Sequence, residues 1–311
     1  LKASESTIQQ LRAQGVEIFD NSMISTFLSC PRKYFYRHRL GLVRKDINVR
    51  QSYGLNFGAA IHQALETWEL TSRDDDAALR AFREAFEGLE EPEATSPKTG
   101  KPLKATYTML YGSVLLDAYF DKYRKDERKV LEVEVPLAEE VADGIYICGR
   151  IDKIMERSDR ELVFADYKTT KYVNKFIHVP NPQFQTYSWL VERLSNRRPK
   201  GELDILGVSK SAPPDEMLTR VPIEYTDWQM AEWQTSLIRH IEAIKRGVEA
   251  EAALAEDEQF RAWPQAWNCM NFNRECPYLA LCSLASLAAH EPIMQSLYEV
   301  DFWDPFGVID G

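Results

Sequence analysis

The residue order predicts an α/β fold, in which a central mixed sheet of about five strands is flanked by helices and a largely helical insertion precedes the first strands. Two observations carry this. Apolar residues recur at helical spacing through 57–128, and near Lys129 the pattern switches to alternation with period two. The alternating runs are short and are joined by polar turns, as in strands that follow one another in a sheet.

Residues 1–21 form an arm with weak patterning, and 22–56 a basic, aromatic segment. Within it Ser22 can cap a short helix running toward Ser29, and a second helix follows Cys30-Pro31 as far as Leu40. Residues 57–128 carry three helices, marked by Ile61, Leu65 and Trp68, by Leu79, Phe82 and Phe86, and by 107–123. A loop at 90–105 holds Pro92, Pro97, Gly100 and Pro102. The core, 129–262, opens with strands at 130–137, 145–155 and 162–168. Asn181-Pro182 starts a helix, strands follow at 203–209 and 220–225, and a long helix covers 227–249. Residues 263–311 form a cysteine-bearing segment and tail.

A chain of 311 residues with 44% hydrophobic and 28% charged residues suits a globular protein. It contains no apolar run long enough for a membrane span, and its first residues are too polar for a secretory signal. Five cysteines without such a signal suggest a reducing, cytoplasmic setting and metal or cluster ligation. A net charge of −10 has the wrong sign for coating nucleic acid, but 30–50 holds seven cations against Asp46, a local basic funnel compatible with DNA.

Asp166 and Lys168 lie two apart on a predicted strand and leave the same face, whereas Tyr167 points to the other. Asp152 lies on the preceding strand of a short-turn hairpin, so pairing can set it beside Asp166. Two adjacent carboxylates repel unless a divalent cation bridges them; Mg²⁺ suits such an oxygen-rich site and leaves room for phosphate oxygens. Lys168 would then orient the attacking water and offset transition-state charge. The plainer reading pairs Asp152 with Arg150 or Lys153 and makes Asp166–Lys168 a surface ion pair. The apolar flanks, Leu162 to Ala165 and Ile147 to Ile151, weigh against it. His62, early in a helix, is a candidate metal ligand, with Glu66 one turn on as its support. Gln183 and Tyr187, at i and i+4, share one helix face. Each of these can equally be an ordinary surface or core residue.

Together, Gly58–His62 (G-x-x-x-H), Gly149–Asp152 (G-R-I-D), Asp166–Lys168 (D-Y-K) and Gln183–Tyr187 (Q-x-x-x-Y) resemble the PD-(D/E)xK nuclease superfamily, in particular its RecB-like branch. Ile151 replaces the name-giving proline. The resemblance implies a restriction-endonuclease-like sheet and Mg²⁺ or Mn²⁺ held by His62, Asp152, Asp166 and the Tyr167 carbonyl. Lys168 is then the catalytic lysine, and Gln183 and Tyr187 support the site.

Cys30 precedes this core, and Cys269, Cys276 and Cys282 follow it. Their spacing lacks the short knuckles of structural zinc and suits a [4Fe–4S] cluster better. The arrangement resembles iron–sulfur members of the same branch: AddB-type helicase–nucleases, CRISPR-adaptation exonucleases and phage proteins. Such a cluster would tie the chain's two ends, by roughly 5 kcal/mol at most on a chain-entropy model. Cys148 reads as a buried small residue. The cations and aromatics after Cys30 suit single-stranded DNA, or else pack beneath the cluster.

The expected activity is a metal-dependent DNA exonuclease acting on single-stranded ends, in repair, recombination or phage DNA metabolism. No Walker motif is present, so it acts alone or beside a helicase or recombination partner. A structure-specific or restriction-like endonuclease, a catalytically silent iron–sulfur nucleic-acid-binding protein and a zinc-stapled protein are the rivals. Oligomeric state is not legible.

Overall fold

The alternating segment builds the sheet. A computed structural model describes residues 11, 13–45, 53–91, 94–95, 99–103, 105–171, 180–209, 211–266, 268–271, 274–284 and 287–306. In chain order the elements are β1 (Glu17–Phe19), α1 (Asn21–Ser29), α2 (Pro31–Tyr34), β2 (Leu42–Arg44), α3 (Tyr53–Leu70), α4 (Asp75–Phe86), β3 (Ala94–Thr95), β4 (Pro102–Leu103) and α5 (Met109–Tyr123). Then come β5 (Lys129–Ala142), β6 (Ile145–Glu156), β7 (Leu162–Thr170), α6 (Pro182–Ser195), β8 (Lys200–Gly207), β9 (Leu218–Ile223) and α7 (Asp227–Ala252). The last are β10 (Met270–Asn271), β11 (Arg274–Glu275), α8 (Leu279–Cys282), α9 (Leu287–Leu297) and β12 (Tyr298–Val300).

The main sheet runs β1-β6-β7-β8-β9, with β5 on the other edge of β6, six strands among the described residues. β5 and β6 are antiparallel from Lys129↔Glu156 to Ala142↔Ile145, around a turn in which Gly144 takes φ 69°. The second edge of β6 is shared. Its first residues, Ile145 to Ile147, pair in parallel with β1, and its last, Lys153 to Glu156, pair antiparallel with β7. Asp152 stands where β7 parts from β6. β7 then runs parallel to β8 from Val163↔Lys200 to Thr170↔Gly207, with α6 in the crossover, and β9 closes the edge antiparallel to β8.

Alternation along these strands feeds two cores. Ile147, Ile151, Phe164 and Ile205 face a layer of α6, α7 and the aromatic segment, including Tyr34, Phe35, Tyr36, Trp233 and Trp263. Tyr167 and Leu206, one position off, face the helical insertion through Phe57, Ile61, Trp68, Phe82 and Phe120.

Several expectations need correction. The arm supplies β1, a sixth strand too short to show a period. The first helix is capped by Asp20, which accepts from Met23 N at 2.7 Å, instead of Ser22. The basic helix is four residues of α2 continued by a π-helical turn, Phe35–Arg39, closed by Leu40 N donating to Phe35 O at 3.0 Å. The 90–105 loop contains the small β3–β4 pair. Tyr34, Phe35 and Tyr36 are 3%, 0% and 0% exposed, so they pack the core and cannot stack on bases. Asp46 and Arg50 of the basic funnel lie outside the described residues. Asn181 does cap its helix, accepting from Gln183 N at 2.9 Å, and Cys148 is fully buried.

The two ends of the chain are stitched together. β12 pairs with β2, Tyr278 donates to Leu42 O at 2.7 Å, and Arg32 N donates to Pro264 O at 3.2 Å.

Candidate active site

Helix α3 carries His62 over the point where β6 and β7 separate. Two glycines of the sequence motifs allow the close approach. A Cβ on Gly58 would lie 2.8 Å from Thr169 Oγ1, and one on Gly149 would lie 2.8 Å from Tyr187 Cε1. The helix can therefore lie against the end of β7, and Tyr187 of α6 against β6.

Asp152 is 7% exposed. Its Oδ2 accepts from Tyr167 N at 2.6 Å and lies 3.5 Å from His62 Nδ1. The carboxylate thus replaces a ladder partner just beyond the last β6–β7 pair, Lys153↔Ala165. Continued by one position, that register sets Asp152 beside Asp166, as the hairpin argument predicts. Asp166 is 1% exposed, and its Oδ2 is 2.8 Å from Lys168 Nζ without an aligned hydrogen bond. Among the described residues the two expected partners of Asp152 pair elsewhere. Lys153 pairs with Glu69 at 2.8 Å, and Arg150 with Glu134 at 3.6 Å, while in the Asp166–Lys168 pair the aspartate is buried and the lysine half-buried.

Glu134 is the residue that the sequence reasoning missed. Ligand atoms of His62, Glu134 and Asp152 all lie within 4.8 Å of one another. Asp166 stands outside that set, drawn toward Lys168, and Tyr167 turns its N–H to Asp152. Glu134 takes φ 48° within β5, a left-handed conformation strained for a residue with a side chain, between the pairs Val133↔Lys153 and Val135↔Ile151. The shifted register beyond the irregularity at Glu140/Ala142 puts Glu134 opposite Asp152; counting straight back from the Gly144 turn would have pointed to Val135 instead.

The electrostatics are those of a crowded anionic pocket. Burial, then the Asp152 carboxylate, push Glu134 up to about 8, against the pull of Arg150. Burial also pushes Asp166 up to about 6, with Lys168 opposing and Asp152 adding to the rise. Glu66 is raised by burial and by Asp152. Lys168 is held above the ordinary lysine value by Asp166 and Asp152 even though its burial works the other way. Carboxyls that cannot all ionise together, beside a histidine, form a donor set that fits a divalent cation. Gln183 Nε2 donates to Tyr187 OH at 2.8 Å, so these two expected residues do meet, on the α6 face behind Gly149.

The four expected cluster cysteines also converge. Cys30, Cys269 and Cys276 each act electrostatically on Cys282, and burial pushes the Cys282 thiol up to about 11. Cys276 N donates to Cys269 O at 2.8 Å. All four are partly buried and free of disulfides.

A family model described as the PD-(D/E)XK nuclease superfamily matches residues 21–283, and the chain belongs to that superfamily. Its members are nucleases that use divalent metals, so an acidic site at the β6–β7 parting stands where that chemistry needs one. Among solved structures, the chain is similar to a protein of Eubacterium rectale described as a candidate exonuclease, at 10% identity and a TM-score of 0.44, over 92% of this chain and 100% of that one. It is also similar to LHK-Exo in complex with dAMP, at 13% identity and a TM-score of 0.33, over 62% of this chain and 93% of that one. No curated protein matches. Among the described residues no helix is long and apolar enough to cross a membrane.

Proposed function

We propose that the chain is a Mg²⁺- or Mn²⁺-dependent deoxyribonuclease of the RecB-like branch, an exonuclease that removes nucleotides from single-stranded ends. The observation that carries it is the convergence of His62, Glu134 and Asp152 within 4.8 Å, with Asp166 and Lys168 beside them in a half-buried pocket. His62, Glu134 and Asp152 would hold the cation, with Asp166 and the Tyr167 carbonyl completing its oxygen donors. When bound, the cation lowers the pKa of a water and neutralises phosphate charge. Lys168 orients that water and stabilises charge growing on the phosphoryl oxygens; Asp166, 2.8 Å away, sets the position of its ammonium. The Gln183–Tyr187 pair fixes α6 against β6 and keeps the pocket wall in place.

A contact with the DNA backbone is supported at the end of β7, where Lys171, seated over the Tyr107 ring at 4.4 Å, is a cation suited to phosphate. Linear and circular single-stranded DNA separate the readings. The proposal expects end-labelled linear strands to shorten and circles to survive; cut circles would mean an endonuclease.

A [4Fe–4S] cluster on Cys30, Cys269, Cys276 and Cys282 belongs to the same proposal. The four thiols are free of disulfides and part-buried, and their sequence intervals lack the short knuckles of structural zinc and suit an iron–sulfur group better. Anaerobically purified protein should be brown, with iron that disappears when Cys30→Ser is made and stays with Cys148→Ser.

A further inference from the structure

Arg32 is a buried cation without an acid. It is 7% exposed, in the short helix directly after Cys30. Its Nε donates to Trp263 O at 2.7 Å, and its guanidinium carbon lies 4.7 Å from the Phe260 ring centroid. Among the described residues no carboxylate is within ion-pair distance of it. The nearby acid, Glu251, is held by Arg39 through two bonds of 3.1 and 3.2 Å and by Trp263 Nε1 at 3.0 Å. A guanidinium so placed cannot reach a DNA phosphate, yet a buried charge without a counter-charge is costly.

What Arg32 does face is the cysteine cluster. It follows Cys30 by two positions, its backbone N–H and its Nε donate to Pro264 O and Trp263 O, and Gln265 of that same segment donates to Cys282 O at 3.2 Å. The Tyr36 hydroxyl, buried and without an aligned hydrogen bond, lies beside both Cys282 and Arg32. The buried His290 ring packs against Tyr36 at 6.0 Å and Phe260 at 5.3 Å, closing the aromatic side of the enclosure. Four thiolates around an iron–sulfur core carry net negative charge, and one more on reduction, so they supply the missing counter-charge.

We infer that Arg32 is the counter-charge of the four-cysteine site, stabilising the bound cluster and raising its reduction potential; this rests on the cluster reading above. Arg32 is a positioning residue, two positions from a ligand, with no part in the hydrolysis.

The test compares wild type, Arg32→Met and Arg32→Lys, each with its iron and after iron removal. Methionine keeps much of the volume and drops the charge; lysine keeps the charge and drops the planar bond to Trp263 O. With iron, Arg32→Met should shift the reduction equilibrium at least tenfold toward the oxidised cluster, 59 mV more negative for a one-electron couple, and lose iron to a chelator faster. Arg32→Lys should show less than half that shift. Without iron the sign reverses: Arg32→Met should melt higher than wild type, because a stranded charge has gone. An unchanged potential in iron-loaded Arg32→Met overturns the inference, as does an iron-free Arg32→Met that melts lower or does not fold. Wild type isolated anaerobically without iron would overturn the cluster reading itself, a result distinguishable from either.

Discussion

The Lys153–Glu69 pair ties α3, and with it His62, to the strand that carries Asp152. The two side chains are 2% and 3% exposed and 2.8 Å apart. Beyond this bond, Lys153 has the Tyr167 ring at 5.2 Å, and Glu69 has Arg73 at 3.8 Å. Removing one partner strands the other, which costs about 3–5 kcal/mol. The stranded group can escape by becoming neutral, and that sets a ceiling. At pH 7 a carboxyl takes up a proton for about 3.7 kcal/mol and an ammonium gives one up for about 4.6 kcal/mol, from their ordinary values. Lys153→Met should therefore cost about 3–4 kcal/mol, and Glu69→Met somewhat more. The double variant, apolar on both sides, should return close to wild type. Urea unfolding followed by tryptophan fluorescence measures all of these. A single variant costing under about 1 kcal/mol, or a double variant no better than the worse single, would refute the reasoning.

Lys168→Ala should abolish cleavage and leave Mn²⁺ binding and the fold intact, read by turnover and calorimetry; near-normal turnover would remove Lys168 from the mechanism. Gly149→Ala places a Cβ 2.8 Å from Tyr187, so it should cost about 1–3 kcal/mol in urea and slow cleavage at least tenfold while metal still binds. Glu134 and Asp166 are raised to about 8 and about 6, so their contribution to the metal-free protein is fully present below about pH 4 and is lost as pH rises through 6 and then 8. Melting temperatures with EDTA and with saturating Mg²⁺ should accordingly diverge as pH goes from 5 to 8.5, and a constant gap would contradict this.

The sheet was readable because its strands alternate. Val130 to Leu137 and Ile147 to Met155 carry period two on both sides of a turn, and the acidic positions fall at fixed offsets along it. Glu134 was lost in that same regularity: within Glu132-Val133-Glu134-Val135 it looks like any solvent-facing residue of an alternating strand. Its role depends on a strained φ and on register, both set by tertiary structure. β1 is three residues long, too short for any period, and exists because the first half of β6 leaves an edge unpaired by β7. Arg32-Lys33-Tyr34-Phe35-Tyr36 has the composition of a nucleic-acid surface, and composition cannot say which way a ring points. The π-helical turn and the Trp263 packing turn these rings inward.

The most direct measurement of the central claim uses end-labelled linear single-stranded DNA with EDTA-treated protein, before and after Mn²⁺ or Mg²⁺ is restored. Wild type should be silent without metal and shorten the strands with it, while Asp152→Ala, folded by circular dichroism, stays silent in both. Cleavage in EDTA, or undiminished cleavage by Asp152→Ala, would contradict the assignment of a metal-dependent nuclease centre to the parting of β6 and β7.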